Sequence, residues 1–198
     1  VDYLVSLSSN CNENNGGLKD IYESLYSELS SKYSGVRKQN VSVRINLNGL
    51  MVDVTPARKQ AGNTNDHWLY VSKLNTRQQT NIQKHISDIS NSGRTNEIKI
   101  LKIWRELNKL DFPSIYLEYL TLDILQGRST NISDLGKNAF YALNQLAKDS
   151  QNPLFTTIID PANSNNDLSN LLNQAEKEKI ISAAKIASSE KYWSSIVW

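Results

Sequence analysis

The chain has a single cysteine, Cys11, so no disulfide can close within it. A cysteine-built zinc site is excluded on the same ground, and two histidines, His67 and His85, are too few for a histidine-built one. Both histidines read as surface residues rather than ligands. No apolar run approaches the roughly 20 residues that a membrane-spanning helix needs, and no secretory signal pattern opens the chain. These shortages point to a cytoplasmic protein that binds neither membrane nor zinc. Excess charge is lacking too. The net charge of +2 argues against broad coating of nucleic acid but leaves room for a local anion site.

What is present suits a folded domain. Hydrophobic residues make up 39% of the 198 positions and charged residues 21%, a balance that builds a core rather than a disordered chain. Tyr3 to Leu7 reads as a short buried strand, and Ser8 to Gly17, rich in Ser, Asn and Gly, as a loop. Leu18, Ile21, Tyr22, Leu25, Tyr26 and Leu29 recur at helical spacing. Val41, Val43, Ile45 and Leu47 alternate with polar residues, and Asn48-Gly49 is a strong hairpin signal. Leu50 to Val54 reads as the returning strand, stopped by Pro56, with a polar loop over 57–66. Trp68 to Val71 is apolar but too short to assign.

From Thr95 the pattern turns helical, with Ile98, Leu101, Trp104, Leu107 and Leu110 on one stripe. After the break at Phe112-Pro113, Ser114 to Leu125 is apolar on nearly every side, as in a buried central helix. Ser133 reads as the N-cap of a helix through Lys148. Asp160 to Asn166 reads as a loop, and Leu168 as the start of a long final helix. The fold class is therefore α+β. A lobe with a mixed sheet spans 1–62, a connecting segment 63–95, and a helical C-terminal lobe 96–198.

Two carboxylates stand out by position. Asp2 opens one strand, and Asp53 interrupts the otherwise apolar Leu50 to Val54. Either acid alone reads as an ordinary solvent-side residue. Together, two strand-borne acids at one sheet edge are what a pair of Mg²⁺ ions about 3.5–4 Å apart needs for nucleotidyl transfer. Lys99 and Lys102 share a helix face that Arg105 and Lys109 continue. Like charges at this spacing cost a few tenths of a kcal/mol, roughly, unless solvent or a bound anion relieves them. The four tryptophans read as packing residues, and Cys11 as a thiol without a base.

The stretches VDYLVSL, NGLMVDVTPA, NEIKILKIWREL, DFPSIYLEYLTLDIL and IIDPANSNND follow in that order over nearly the whole chain. The series resembles the cyclic GMP-AMP synthase, oligoadenylate synthase and bacterial CD-NTase family, within the polymerase-β-like nucleotidyltransferases. The resemblance implies a nucleotide held between two lobes and a metal-dependent synthesis of a cyclic or short oligonucleotide signal. The implied setting is bacterial antiviral defence. It implies Asp2 and Asp53 as catalytic, metal-binding acids for Mg²⁺ or Mn²⁺. It implies Lys99, Lys102 and Ser114 as contacts to a nucleoside triphosphate, ATP foremost. Asp160, Pro161 and Asn166 match a structural loop signature. A regulatory protein partner is compatible with the same resemblance. Ile115 stands where several relatives have a base-stacking tyrosine, and Tyr116 would point elsewhere. The family's Gly-Ser turn and first acid would precede Val1, and the only methionine is Met51. The natural protein is therefore expected to continue upstream, and this chain alone to lack turnover. Two rival readings stay open: a catalytically dead binder of nucleotide or partner, and a transferase acting on RNA ends or protein hydroxyls.

Overall fold

The Asn48-Gly49 turn sets the register of the sheet. Both residues take positive φ, 52° and 90°, as a two-residue hairpin turn of matching twist requires. Asn46 Oδ1 accepts from Gly49 N–H at 2.7 Å and holds the turn. The computed structural model describes residues 2–7, 17–62 and 64–197. The expected loop over 8–16, with Cys11, and the packing role expected of Trp198 lie outside them.

The turn joins β3 (Val43–Leu47) to β4 (Leu50–Lys59) in an antiparallel pair running from Leu47↔Leu50 to Val43↔Val54. β1 (Asp2–Leu7) pairs with β4 in parallel, from Asp2↔Asp53 to Leu7↔Arg58. β2 (Arg37–Lys38) extends the β3 edge. β5 (His67–Val71) pairs with the last residues of β4, and β6 (Thr76–Thr80) with β5. The result is a mixed six-stranded sheet in which β4 has three neighbours.

Pro56 does not stop β4, contrary to the sequence expectation, and the expected loop over 57–66 begins as strand. The antiparallel ladder with β3 ends at Val54 and the one with β5 begins at Ala57. Pro56 sits in the gap between them, where its missing N–H breaks neither antiparallel ladder. The stretch expected to connect two lobes also contributes β5 and β6 to the sheet.

α1 (Leu18–Lys32) lays its apolar face on the sheet. Tyr22, Val43 and Tyr70 are buried together, with Leu18, Leu25, Tyr26 and Leu29 packed around them. The Tyr22 hydroxyl donates to the Gln39 carbonyl at 2.6 Å, so its polar end stays satisfied.

The chain divides between Gln83 and Lys84 into two units. α2 (Ile82–Asn91) crosses that point and leads into α3 (Thr95–Leu107), α4 (Ser114–Ile124) and α5 (Leu135–Leu146). β7 (Ile159–Asp160) and β8 (Asn163–Asp167) follow, then α6 (Gln174–Ser189) and α7 (Ser194–Val197). The core of the second unit gathers Leu101 and Trp104 of α3, Tyr116, Leu117 and Leu120 of α4, Ala142 and Leu143 of α5, and Ile180 of α6. α4 buries Tyr116, Leu117, Leu120 and Thr121 and exposes Asp123, so it is central but not covered on every side.

Two helix starts differ from expectation. Ser133 does not cap α5. Asn131 accepts from Ser133 N–H at 3.1 Å and starts a 3₁₀ turn over Ile132–Asp134 that feeds the helix. Asn is as good a cap as Ser, and it comes first in the chain. Leu168–Leu171 is likewise a 3₁₀ turn, and α6 begins later with Asn173 and Glu176 in a reciprocal capping box.

A buried ionic network ties α3, α4 and α5 together. Arg94 Nη1 donates to Glu97 Oε1 at 3.1 Å and to the Ser129 carbonyl at 2.7 Å. Its Nη2 donates to the carbonyls of Leu125, at 3.1 Å, and Arg128. Asn138 Nδ2 donates to the same Glu97 oxygen at 3.1 Å. Arg94 thus closes the carbonyl end of α4 while Glu97 neutralises it. Removing one partner of a buried charge leaves the other exposed to a low dielectric. Glu97→Ala should therefore destabilise the protein by about 3 kcal/mol, read as a lower midpoint in urea unfolding. A midpoint within error of the parent's would show that water replaces Glu97.

Candidate active site

Asp53 sits in the middle of β4 with charged neighbours in register on both sides. On one side its backbone partner is Asp2 of β1. On the other it is Arg44 of β3. Residues directly paired across adjacent strands stand on one face of a sheet, about 4.8 Å apart. The structure therefore brings together, by backbone register, the two acids that lie 51 positions apart in sequence.

Arg44 was not among the residues singled out from sequence. Its Nε donates to Asp53 Oδ1 at 2.8 Å and its Nη2 to Oδ2 at 2.6 Å, a two-pronged match of fork to carboxylate. The Asp53 side chain is 19% exposed and that of Arg44 42%. A largely covered carboxylate in this position takes a cation, here the Arg44 guanidinium. Among the described residues no group of three or more His, Cys, Asp or Glu side chains gathers to hold a metal ion.

The basic residues belong to the second unit. Lys99 is exposed on α3. Lys102, one turn later, forms an ion pair with Glu118 of α4. Arg105, a further turn on, donates through Nη1 to the Phe112 carbonyl at 2.9 Å and to Ser114 Oγ at 3.2 Å. The pairs 102 with 118 and 105 with 114 step in opposite directions, so α3 and α4 run antiparallel with these side chains between them. The stripe read as a solvated basic face is therefore split. Lys102 and Arg105 have internal partners, while Lys109 lies past the helix end with φ 52°. Ser114 stands at the first position of α4, where backbone N–H groups lack helical acceptors. Tyr116 is fully buried and its hydroxyl reaches the Leu154 carbonyl at 3.4 Å, so it offers no ring for stacking.

Neither histidine is a surface residue, and this corrects the expectation. His67 is 8% exposed; its Nδ1–H donates to the Asn65 carbonyl and its Nε2 faces Ser6 Oγ, both at 2.8 Å. His85 is equally buried and donates from Nε2 to Asp160 Oδ1 at 2.8 Å. Asp160 Oδ1 also accepts from Ala162 N–H at 2.8 Å, and its Oδ2 from Asn166 Nδ2 at 3.0 Å. These bonds shape β7 and β8 into a hairpin where a loop was expected. The polar run Asn163–Asp167 has no apolar alternation to betray a strand; side-chain hydrogen bonds to Asp160 stand in for core packing.

The fold is that of the CD-NTases, a nucleotidyltransferase fold. CdnC of E. coli MS115-1, solved with ATP, superposes with a TM-score of 0.64 at 22% identity, over 94% of this chain and 69% of that one. CdnG of Bradyrhizobium diazoefficiens, in complex with GTP, gives 0.69 at 11% identity, over 94% and 70%. DncV of Vibrio cholerae, a cyclic AMP-GMP synthase in complex with a linear intermediate, gives 0.65 at 15% identity, over 96% and 59%. No family model and no curated protein sequence matches the chain.

Burial opposes the charge of Asp160, but the hydrogen bonds from His85, Ala162 and Asn166 outweigh it and hold the carboxyl below the usual aspartate value. Because the folded-state value is depressed, its stabilising contribution is present above the unfolded value, about 3.9. It is lost as pH falls further, through the folded value. Asp160→Asn should lower the melting temperature at pH 7 and flatten its decline in acid. An acid-melting curve parallel to the parent's would remove Asp160 from the acid response.

Proposed function

We propose that this chain is the catalytic part of a metal-dependent nucleotidyltransferase that joins nucleoside triphosphates into a cyclic or short oligonucleotide signal, in bacterial antiviral defence. The observation that carries the reading is the register of Asp2 beside Asp53 on adjacent parallel strands. In this reading Asp2 and Asp53 hold Mg²⁺ or Mn²⁺. When bound there, such ions would supply activation of a ribose hydroxyl and charge compensation for the triphosphate. The chain's own part is positional. β4 presents Asp53 from a strand with partners on both sides, so the carboxylate cannot drift with a loop. Lys99 and Lys102 supply positive charge to the triphosphate. Ser114 offers its hydroxyl and the free N–H groups of the first α4 turn. A solved complex of the E. coli CdnC with a HORMA protein supports a regulatory protein as partner.

One set of observations favours a second reading, a nucleotide-binding relative without turnover. Asp53 is neutralised by Arg44 and Lys102 by Glu118, so neither charge needs a ligand to satisfy it. Product analysis separates the two readings. With all four labelled triphosphates and Mg²⁺ or Mn²⁺, a form extended upstream of Val1 should release pyrophosphate and accumulate an oligonucleotide. Asp53→Asn should abolish both while leaving the circular dichroism spectrum unchanged. Lys102→Ala should weaken triphosphate binding about tenfold, the worth of one charge-assisted contact. Nucleotide binding without pyrophosphate release in every form would favour the second reading. Labelled RNA ends or protein hydroxyls would instead mark a transferase of the same fold. Assaying the present chain alongside tests whether the Gly-Ser turn and a first acid must be supplied.

A further inference from the structure

Ser6 on β1 and His67 at the head of β5 meet across β4. Ser6 pairs with Ala57 and His67 with Lys59 in the backbone ladders. Both side chains therefore stand on one face of the sheet, with backbones on the order of 10 Å apart. Ala57 adds only a methyl to that face and is wholly buried, which leaves the imidazole room to reach over it to Ser6 Oγ at 2.8 Å. The other ring nitrogen settles the tautomer. Nδ1 lies 2.8 Å from the Asn65 carbonyl, which can only accept. Nδ1 therefore carries the proton, and Nε2 presents its lone pair to the Ser6 hydroxyl. The carbonyl is itself held in place. Gln60 N–H donates to the neighbouring Asp66 carbonyl at 2.9 Å and closes the β4–β5 connection beside the Lys59↔His67 pair. The imidazole is covered, whereas Ser6 is exposed.

We propose that Ser6 and His67 form a nucleophile–base pair that accepts an acyl group from an activated carboxylic ester. A serine hydrogen-bonded to an imidazole, itself oriented by a third group, is the arrangement that makes a hydroxyl nucleophilic. The burial of His67 favours that use. Water competes little for its Nε2 lone pair, while the hydroxyl it faces stays open to solvent. In the step, Ser6 Oγ bonds to the ester carbonyl carbon as its proton passes to His67 Nε2. The C–O bond to the leaving alcohol then breaks, and that oxygen takes the proton from Nε2. The products are an O-acyl Ser6 and the free alcohol, with no oxidant or reductant consumed. The Asn65 carbonyl orients the ring but offsets an imidazolium charge less than a carboxylate does. The expected signal is therefore acylation of one hydroxyl rather than rapid turnover. Ser6 lies four residues along β1 from Asp2, about 13 Å at the rise of a strand, and its chemistry does not rest on the nucleotidyl-transfer reading.

Treating the chain with p-nitrophenyl acetate tests this. The protein is then digested, and acetylation of each serine is followed by mass spectrometry. Hydroxylamine separates an acetylated serine, whose ester it cleaves, from an acetylated lysine, which survives. Ser6 should be acetylated about a hundredfold faster than exposed serines such as Ser90 and Ser150, the lower end of what a positioned general base contributes. His67→Gln and His67→Asn keep a polar side chain but remove the base, and should bring Ser6 down to the rate of those serines. Ser6→Ala should lose the ester from that segment. Circular dichroism checks the fold of each form, and the comparison among serines of the parent decides the matter if neither His67 variant folds. Ser6 acetylated no faster than Ser90 and Ser150 in the parent overturns the proposal. Fast acetylation of Ser6 in a folded His67 variant removes the base from the pair and overturns it as well.

Discussion

The parallel pairing of β1 with β4 is the constraint on which the candidate site depends. A parallel partner cannot be reached through a tight turn; the chain must travel the full length of the strand and come back. Here it does so through α1, whose apolar face then covers the sheet with Tyr22 against Val43 and Tyr70. The same pairing gives β4 a neighbour along residues 53–58 on one side while β3 and β5 divide the other. β4 is thus held on both sides at the position where Asp53 projects. A shift of one residue between β1 and β4 would put Asp53 opposite a residue of the other face, and the acid pair would vanish.

Charge placement follows a common logic in both units. Four ionisable side chains among the described residues each meet a specific partner. Asp53 has the Arg44 fork, Asp160 has His85 and Asn166, Glu97 has Arg94 and Asn138, and Lys102 has Glu118. The structural pairs and the candidate functional pairs differ in exposure. Arg94 and Glu97 are almost wholly covered, so their separation would leave bare charges in a low dielectric. Arg44 and Lys102 keep a third or more of their side chains in solvent, so parting either from its carboxylate bares less charge to a low dielectric.

Much of the helical unit was legible in sequence because burial there is one-sided or complete. The stripe of Ile98, Leu101 and Trp104 and the apolar run after Ser114 translate directly into α3 and α4. The β3–β4 hairpin was legible for another reason: Asn48-Gly49 admits few conformations. That turn also held the clue to Arg44, because Arg44 and Asp53 each lie four residues from it and therefore face one another. The β7–β8 hairpin offered no such signal, since its strands are polar and owe their shape to Asp160, whose partners His85 and Asn166 no local pattern reveals. Pro56 misled because proline is a sound strand-breaker only where a ladder needs its N–H.

By itself, the sequence determined what is local or compositional: the α+β division, the turn at Asn48-Gly49, the helices of the second unit, and that no disulfide closes within these 198 residues. These follow from steric preference and from the period of apolar residues, which act over a few positions. Only the tertiary structure decided which charges meet. That β1 lies parallel to β4, in the register that sets Asp2 beside Asp53, depends on strands brought together through the packing of α1. That His85 is buried on Asp160, and that Lys102 lies on Glu118, depends on helices and hairpins distant in sequence. A charge reads the same in sequence whether it faces water, a partner or a ligand, because the local dielectric and the neighbouring charge belong to the folded molecule.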